Sequence, residues 1–207
     1  MVAAVLFDFG GVILSSPFEA FAAHERRVGL PEGFIRRVNA TNPDRNAWAQ
    51  LERGELDLDR FVEAFESEAW TLGHHVDGAE VLECLRGELR PRMVAALRTC
   101  RTRFRTGLLT NNFLTGSPDW SSGGSFAQLV DLFDVVVESS RVGVRKPERR
   151  FYEIALSELG IAAADAVFLD DLGINLKPAR AMGMTTIKVV DPDEALDELS
   201  AITGLDL

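Results

Sequence analysis

The chain has 207 residues, 46% of them hydrophobic and 26% charged, enough to bury a full core and to carry a sizeable insertion. Its 22 lysines and arginines stand against 32 aspartates and glutamates, and a formal net charge of -10 argues against nonspecific attraction to nucleic acid or an anionic membrane. Cys84 and Cys100 match no zinc or thioredoxin spacing and read as structural thiols in a reducing, cytoplasmic setting.

The first element, Val2 to Phe7, is a short apolar run of the kind that fills a central parallel strand. Asp8 stands at its carboxyl end, and Gly10 and Gly11 let the backbone turn tightly around a ligand. A carboxylate buried there needs a cation or hydrogen-bond donors, so a metal or phosphate-type site is expected, with a simple cap on a strand-to-helix turn as the alternative. The apolar start lacks a basic leader and is interrupted by Asp8, unlike a signal sequence, and no stretch reaches transmembrane length.

Residues 16–88 contain amphipathic helical patterns and no convincing strand, with candidate helices at Pro17 to Val28, Pro31 to Ala40, Arg45 to Arg53, Leu58 to Trp70 and Val76 to Leu85. Pro31 suits a first helical turn, and Asp57 stands where an N-cap would precede Leu58. Inserted directly after the Asp8 turn, this block is expected to lie over the site as a lid. His24, His74 and His75 read as surface residues, the last two diverging on a helix. Trp48, Glu52 and Arg53 read as part of an ordinary amphipathic helix, with an orientation toward the site as the alternative.

A helix over Pro91 to Arg101 leads to a strand at Thr106 to Thr110, followed by Asn111 and Asn112. Phe113 to Ser125 is a Gly/Ser-rich loop, in which Trp120 either anchors the loop or meets the lid or substrate. Further strands are predicted near 134–137, 166–170 and 185–190, with a last helix from Pro192 to Ile202. The alternation implies an α/β fold: a Rossmann-like parallel sheet with helices on both faces, and a ligand crevice outside the carboxyl ends of the strands. Asp8, Thr110 with Asn111, and Asp170 with Asp171 all fall at such ends. Arg141, Arg145, Arg149 and Arg150 form a basic patch, read as a solvated helix face or a guide for an anionic substrate.

Four signatures now stand in order: Phe7-Asp8-Phe9-Gly10-Gly11-Val12, Leu109-Thr110-Asn111-Asn112, Arg145-Lys146-Pro147, and Phe168-Leu169-Asp170-Asp171-Leu172-Gly173-Ile174-Asn175 continuing to Met184. The chain resembles the haloacid dehalogenase superfamily, in the subgroup with a helical cap after the first strand. The last run closely resembles the amino-terminal phosphatase-like domain of soluble epoxide hydrolases and the related domain of some acyl-CoA dehydrogenases. The resemblance implies a core formed by residues 1–15 and 89–207 and a cap formed by residues 16–88. No fused hydrolase or dehydrogenase domain is expected.

The residues fit phosphoryl transfer on their own chemistry. Asp8 supplies a nucleophile, Lys146 a point charge that neutralises both Asp8 and the phosphate, and Thr110, Asn111 and Gly11 contacts to the phosphoryl group. Adjacent Asp170 and Asp171 repel one another unless a cation is shared, and oxygen ligands point to Mg²⁺. The resemblance makes Asp171 the direct ligand, with Asp170 acting behind it, and adds Asp8 and the Gly10 carbonyl. Asn175 reads as an N-cap.

One position departs from the resemblance. Phosphatases of the superfamily commonly carry a second Asp two residues after the nucleophile, where this chain has Gly10. The expected function is a Mg²⁺-dependent phosphatase acting on a small anionic phosphomonoester through an aspartyl-phosphate. A catalytically impaired phosphate-binding or interaction protein and a carbon-halogen hydrolase are the alternatives.

Overall fold

A computed structural model describes residues 1–112 and 129–207; the whole Gly/Ser-rich loop, Trp120 included, lies outside the described residues. Five strands form one parallel sheet: β1 (Ala4–Phe7), β2 (Arg105–Thr110), β3 (Val135–Glu138), β4 (Ala166–Asp170) and β5 (Thr185–Lys188), in the order β3-β2-β1-β4-β5. The β1 strand is fully buried because it is central and covered on both faces. Alternate side chains divide between the two faces. Val5 and Phe7 pack with α6 (Pro91–Cys100) and α10 (Pro192–Thr203), while Ala4 and Leu6 pack with α8 (Arg149–Leu159) and α9 (Gly173–Ala181). Each fully buried Val, Leu or Phe contributes about 1.5–3 kcal/mol, and this burial keeps the strand ends in fixed register.

Between β1 and β2 the chain is helical: α1 (Pro17–Val28), α2 (Phe34–Ala40), α3 (Ala47–Glu52), α4 (Leu58–Thr71) and α5 (Gly78–Glu83). These helices bury a core of their own around Phe21, Phe34, Phe61, Phe65 and Val81. The chain leaves the sheet at Leu14 and returns at Leu89, where the two residues form an antiparallel bridge. Ser15 N donates to Glu88 O at 2.8 Å and Arg90 N to Ile13 O at 2.9 Å, so the two crossing strands of chain brace each other.

Several local readings change. Pro31 precedes its helix rather than starting it, because Gly33 in the left-handed region caps α2. Asp57 does cap α4, accepting from Arg60 N at 2.9 Å. His74 and His75 follow α4 rather than lying on a helix; His74 meets the Phe34 ring edge-on and His75 stacks on Trp70. His24 is buried, with Nδ1 at 3.0 Å from Arg27. Among the described residues no helix is long and apolar enough to cross a membrane.

Candidate active site

Asp8 follows the last residue of β1 and Asp170 ends β4, and the register Phe7 to Leu169 sets these two carboxylates side by side. The Asp8 amide donates to Leu169 O at 2.9 Å, and its Oδ1 accepts from Phe9 N at 2.7 Å. Lys146 reaches between them from the segment before α8. Its Nζ lies 2.8 Å from Asp8 Oδ1 and 2.8 Å from Asp170 Oδ2.

Asp170 is fully buried and hydrogen-bonded on both oxygens. Oδ1 accepts from Leu172 N at 2.8 Å, and Asn175 Nδ2 stands 3.1 Å from each oxygen. Asn175 is therefore not the cap of α9; it lies inside the helix, where the first turn folds its amide back under the strand end. Its own carbonyl accepts from Tyr152 Oη at 2.7 Å. The spacing of five residues from Asp170 was the available signal for this role. Asp171 is less enclosed and accepts from Ser16 Oγ at 3.4 Å, a partner 155 residues away that sequence reading did not find.

Carboxylate oxygens of Asp8, Asp170 and Asp171 lie within 4.8 Å of one another. Burial pushes Asp8 well above the usual carboxylate range, with Lys146 pulling down and the two other aspartates pushing up. Burial and Asp170 push Asp171 up to about 6. For Lys146, burial alone favours loss of the proton, but Asp170 and Asp8 outweigh it and raise the ammonium above its ordinary value. Three carboxylates thus gather around one ammonium, an arrangement short of positive charge. An oxygen-only donor set with excess negative charge fits a hard divalent cation.

The two glycines after Asp8 differ. Gly10 has ordinary extended dihedrals, and a Cβ there would meet no atom within 4 Å. Gly11 has φ 76°, its N–H faces Ser15 O at 3.4 Å, and Arg90 Nη1 holds its carbonyl at 2.5 Å. Thr110 is buried at the end of β2. Asn111 folds back on the lysine: Oδ1 accepts from Lys146 N at 2.8 Å, and Nδ2 donates to Lys146 O at 3.0 Å.

Glu52, at the end of α3, reaches this clasp. Its Oε2 accepts from Asn111 Nδ2 at 3.1 Å and pairs with Arg145, while Oε1 accepts from Trp48 Nε1 at 3.1 Å. Arg53 beside it pairs with Glu148 at 2.8 Å. The helix read as ordinary is the one that docks on the lysine segment. The basic patch divides: Arg141, Arg149 and Arg150 are exposed on helix faces, as read, pairing with Glu138 and Glu153, whereas Arg145 turns inward to Glu52.

Residues 2–183 match the family described as haloacid dehalogenase-like hydrolase. Over 99% of its length the chain is 36% identical to mouse acyl-CoA dehydrogenase family member 10, and over 99% it is 33% identical to pig bifunctional epoxide hydrolase 2. It spans only 19% and 39% of those two proteins. Phosphatase MT3486 of Mycobacterium tuberculosis is 31% identical, with 88% of this chain and 85% of that protein covered. In fold, a HAD family enzyme of Bacteroides thetaiotaomicron in complex with magnesium and inorganic phosphate superposes with a TM-score of 0.62 at 18% identity, covering 91% of this chain and 94% of that one. L-2-haloacid dehalogenase of Xanthobacter autotrophicus superposes with a TM-score of 0.62 at 21% identity, covering 100% and 85%, so the fold alone does not separate the two chemistries. The sheet order, the strand-end aspartates and the family match converge, and the chain belongs to the haloacid dehalogenase-like hydrolases.

Proposed function

We propose that this hydrolase is a Mg²⁺-dependent phosphatase of small phosphomonoesters, with residues 16–88 as a cap over the site. One observation carries the reading: Asp8, Lys146, Asp170 and Asp171 meet at adjacent strand ends. Asp8 and Asp171, with the Gly10 carbonyl, would hold the ion, and Asp170 acts behind them because Lys146, Leu172 and Asn175 already occupy its oxygens. A bound Mg²⁺ supplies the charge that draws an anionic phosphoryl group to a carboxylate nucleophile.

The chain's own residues do the rest. Asp8 attacks phosphorus, the ester P–O bond breaks, and the resulting aspartyl-phosphate is cleaved by water to release phosphate and restore the carboxylate. Lys146 favours the ionised form of Asp8 against its burial and orients it, and Thr110 and the main chain of Asn111 would meet the phosphoryl oxygens. Gly11, whose N–H donates to Ser15 O and whose carbonyl accepts from Arg90, supplies the turn and not a phosphoryl contact. Without a side chain at Gly10, the departing oxygen takes its proton from water, which favours esters with good leaving groups. The phosphatase relative MT3486 supports this reading over a carbon-halogen one. The intact nucleophile supports catalysis over binding alone, and the free cysteines fit a cytoplasmic setting.

The test is phosphate release from a panel of monoesters with Mg²⁺ and with a chelator, for the wild type and Asp8→Asn. Turnover that needs both the ion and Asp8 is expected. Absence of Asp8-dependent release from every ester overturns the reading.

A further inference from the structure

The cap meets the core through a short set of polar contacts concentrated on the segment that carries Lys146. Gly54 follows α3 and approaches the backbone of α7 (Ser139–Val142) so closely that a Cβ would lie 2.8 Å from Ser140 O. Arg145 Nη2 donates to Pro43 O at 2.6 Å, and Arg53 pairs with Glu148. Glu52 lies at the centre of these contacts and is buried.

A buried ion pair is a poor way to hold two surfaces together. Desolvating the two charges costs several kcal/mol, and a well-packed apolar pair would dock the cap at least as firmly. Burial does push the Glu52 carboxyl up, against the attraction of Arg145. An apolar pair lacks one thing this carboxylate has, an acceptor for the second N–H of Asn111. The Asn111 amide then makes three bonds at once: Lys146 N–H to Oδ1, and Nδ2 to both Lys146 O and Glu52 Oε2. Arg145, on the other side of Glu52, is the residue immediately before Lys146. The carboxylate therefore grips the lysine segment at two points, one through the Asn111 amide and one through the adjoining guanidinium.

We propose that Glu52 is a positioning residue: by holding Asn111 and Arg145 across the seam, it sets the Lys146 main chain and so the placement of the ammonium between Asp8 and Asp170. Catalytic geometry is then complete only when the cap is seated, and seating is sensed by a residue that touches neither substrate nor ion. The inference rests on the proposed phosphatase chemistry for its kinetic consequence, but not for its structural one.

Glu52→Gln keeps an acceptor for Asn111 and loses the charge, and Glu52→Ala loses both. Phosphate release should fall in the order wild type, Gln, Ala, with kcat reduced about tenfold or more in Glu52→Ala and KM changed less than about threefold. Adding Arg145→Ala to Glu52→Ala should cost little further in kcat, because the Glu52 pair is already lost and the remaining Arg145 contact, to Pro43 O, does not touch Asn111. The second readout is amide hydrogen exchange at Lys146, which needs no substrate. Exchange about tenfold faster in Glu52→Ala, and intermediate in Glu52→Gln, is expected. If Glu52→Ala fails to fold, Glu52→Gln decides alone: faster Lys146 exchange supports the inference, and exchange and kcat within twofold of wild type overturn it. If no ester is turned over by the wild type, the phosphatase reading fails while the exchange measurement still decides this one.

Discussion

A methyl group on Gly11 would stand 2.3 Å from Asp171 Oδ2, closer than any carbon and oxygen approach without a bond. The turn after the nucleophile and the second acidic strand end are thus packed against each other through a missing side chain. Gly11→Ala adds this clash to a left-handed backbone that costs an L-residue about 1–2 kcal/mol. Asp171 must move away, so Mg²⁺-dependent phosphate release should fall at least tenfold, about the cost of displacing a ligand. Near-wild-type turnover at saturating Mg²⁺ would show that Asp171 placement is not needed.

Gly10 gives the opposite expectation. Its dihedrals suit any residue and a Cβ there meets no neighbour within 4 Å, so the backbone accepts Gly10→Asp without a steric clash at Cβ. A positioned acid contributes about 10² to 10⁴ in rate, and hydrolysis of alkyl phosphates should rise by up to that factor while aryl phosphates change less. Equal rates on both ester classes before and after the substitution would mean the side chain is not what limits poor leaving groups.

Asp8→Asn should separate stability from function. Burial and the neighbouring carboxylates disfavour the ionised Asp8, so a neutral isostere relieves the folded state. In the absence of Mg²⁺ its melting temperature should exceed that of the wild type, while phosphate release drops by about 10³-fold or more. A lower melting temperature would mean that the Lys146 pairing outweighs the burial cost.

Asn175→Ala removes a donor from both oxygens of fully buried Asp170. Leaving a buried acceptor short of its partner costs about 1–3 kcal/mol, to be read from denaturant unfolding. Asn175→Ala with unchanged stability would show that Lys146 and the Leu172 amide satisfy Asp170 by themselves.

Glu52 supplies a pH signature. Its carboxyl is raised by burial, so the folded chain holds that proton to a higher pH than the unfolded chain does. Through the window from the ordinary glutamate value up to the raised one, folding stability falls as pH rises, and above it the penalty is constant. Glu52→Gln has no such group. The stability of Glu52→Gln relative to wild type should therefore climb with pH through this window and then level off, whatever its offset from the unpaired Arg145. A difference that stays flat from pH 4 to 8 would contradict a raised Glu52.

Local patterns determined most of the architecture. Continuous apolar runs at 2–7 and 166–170 can be satisfied only inside a covered parallel sheet, and the polar residues that end those runs must then share one edge. That logic implies the proximity of Asp8, Asp170 and Asp171 that the structure shows, and the periodicity of residues 16–88 implies the helices found between β1 and β2. Contacts between distant segments were not legible. Ser16 and Asp171 are 155 residues apart, and Glu52 and Arg145 are 93 apart, and neither pair is implied by any local spacing. Gly10 and Gly11 are the same residue type in adjacent positions, yet one faces open space and the other presses on Asp171. Periodicity and strand-end chemistry are local properties, whereas the packing of the helical segment between β1 and β2 against the lysine segment depends on how two separately built cores meet, and only the tertiary structure decides that.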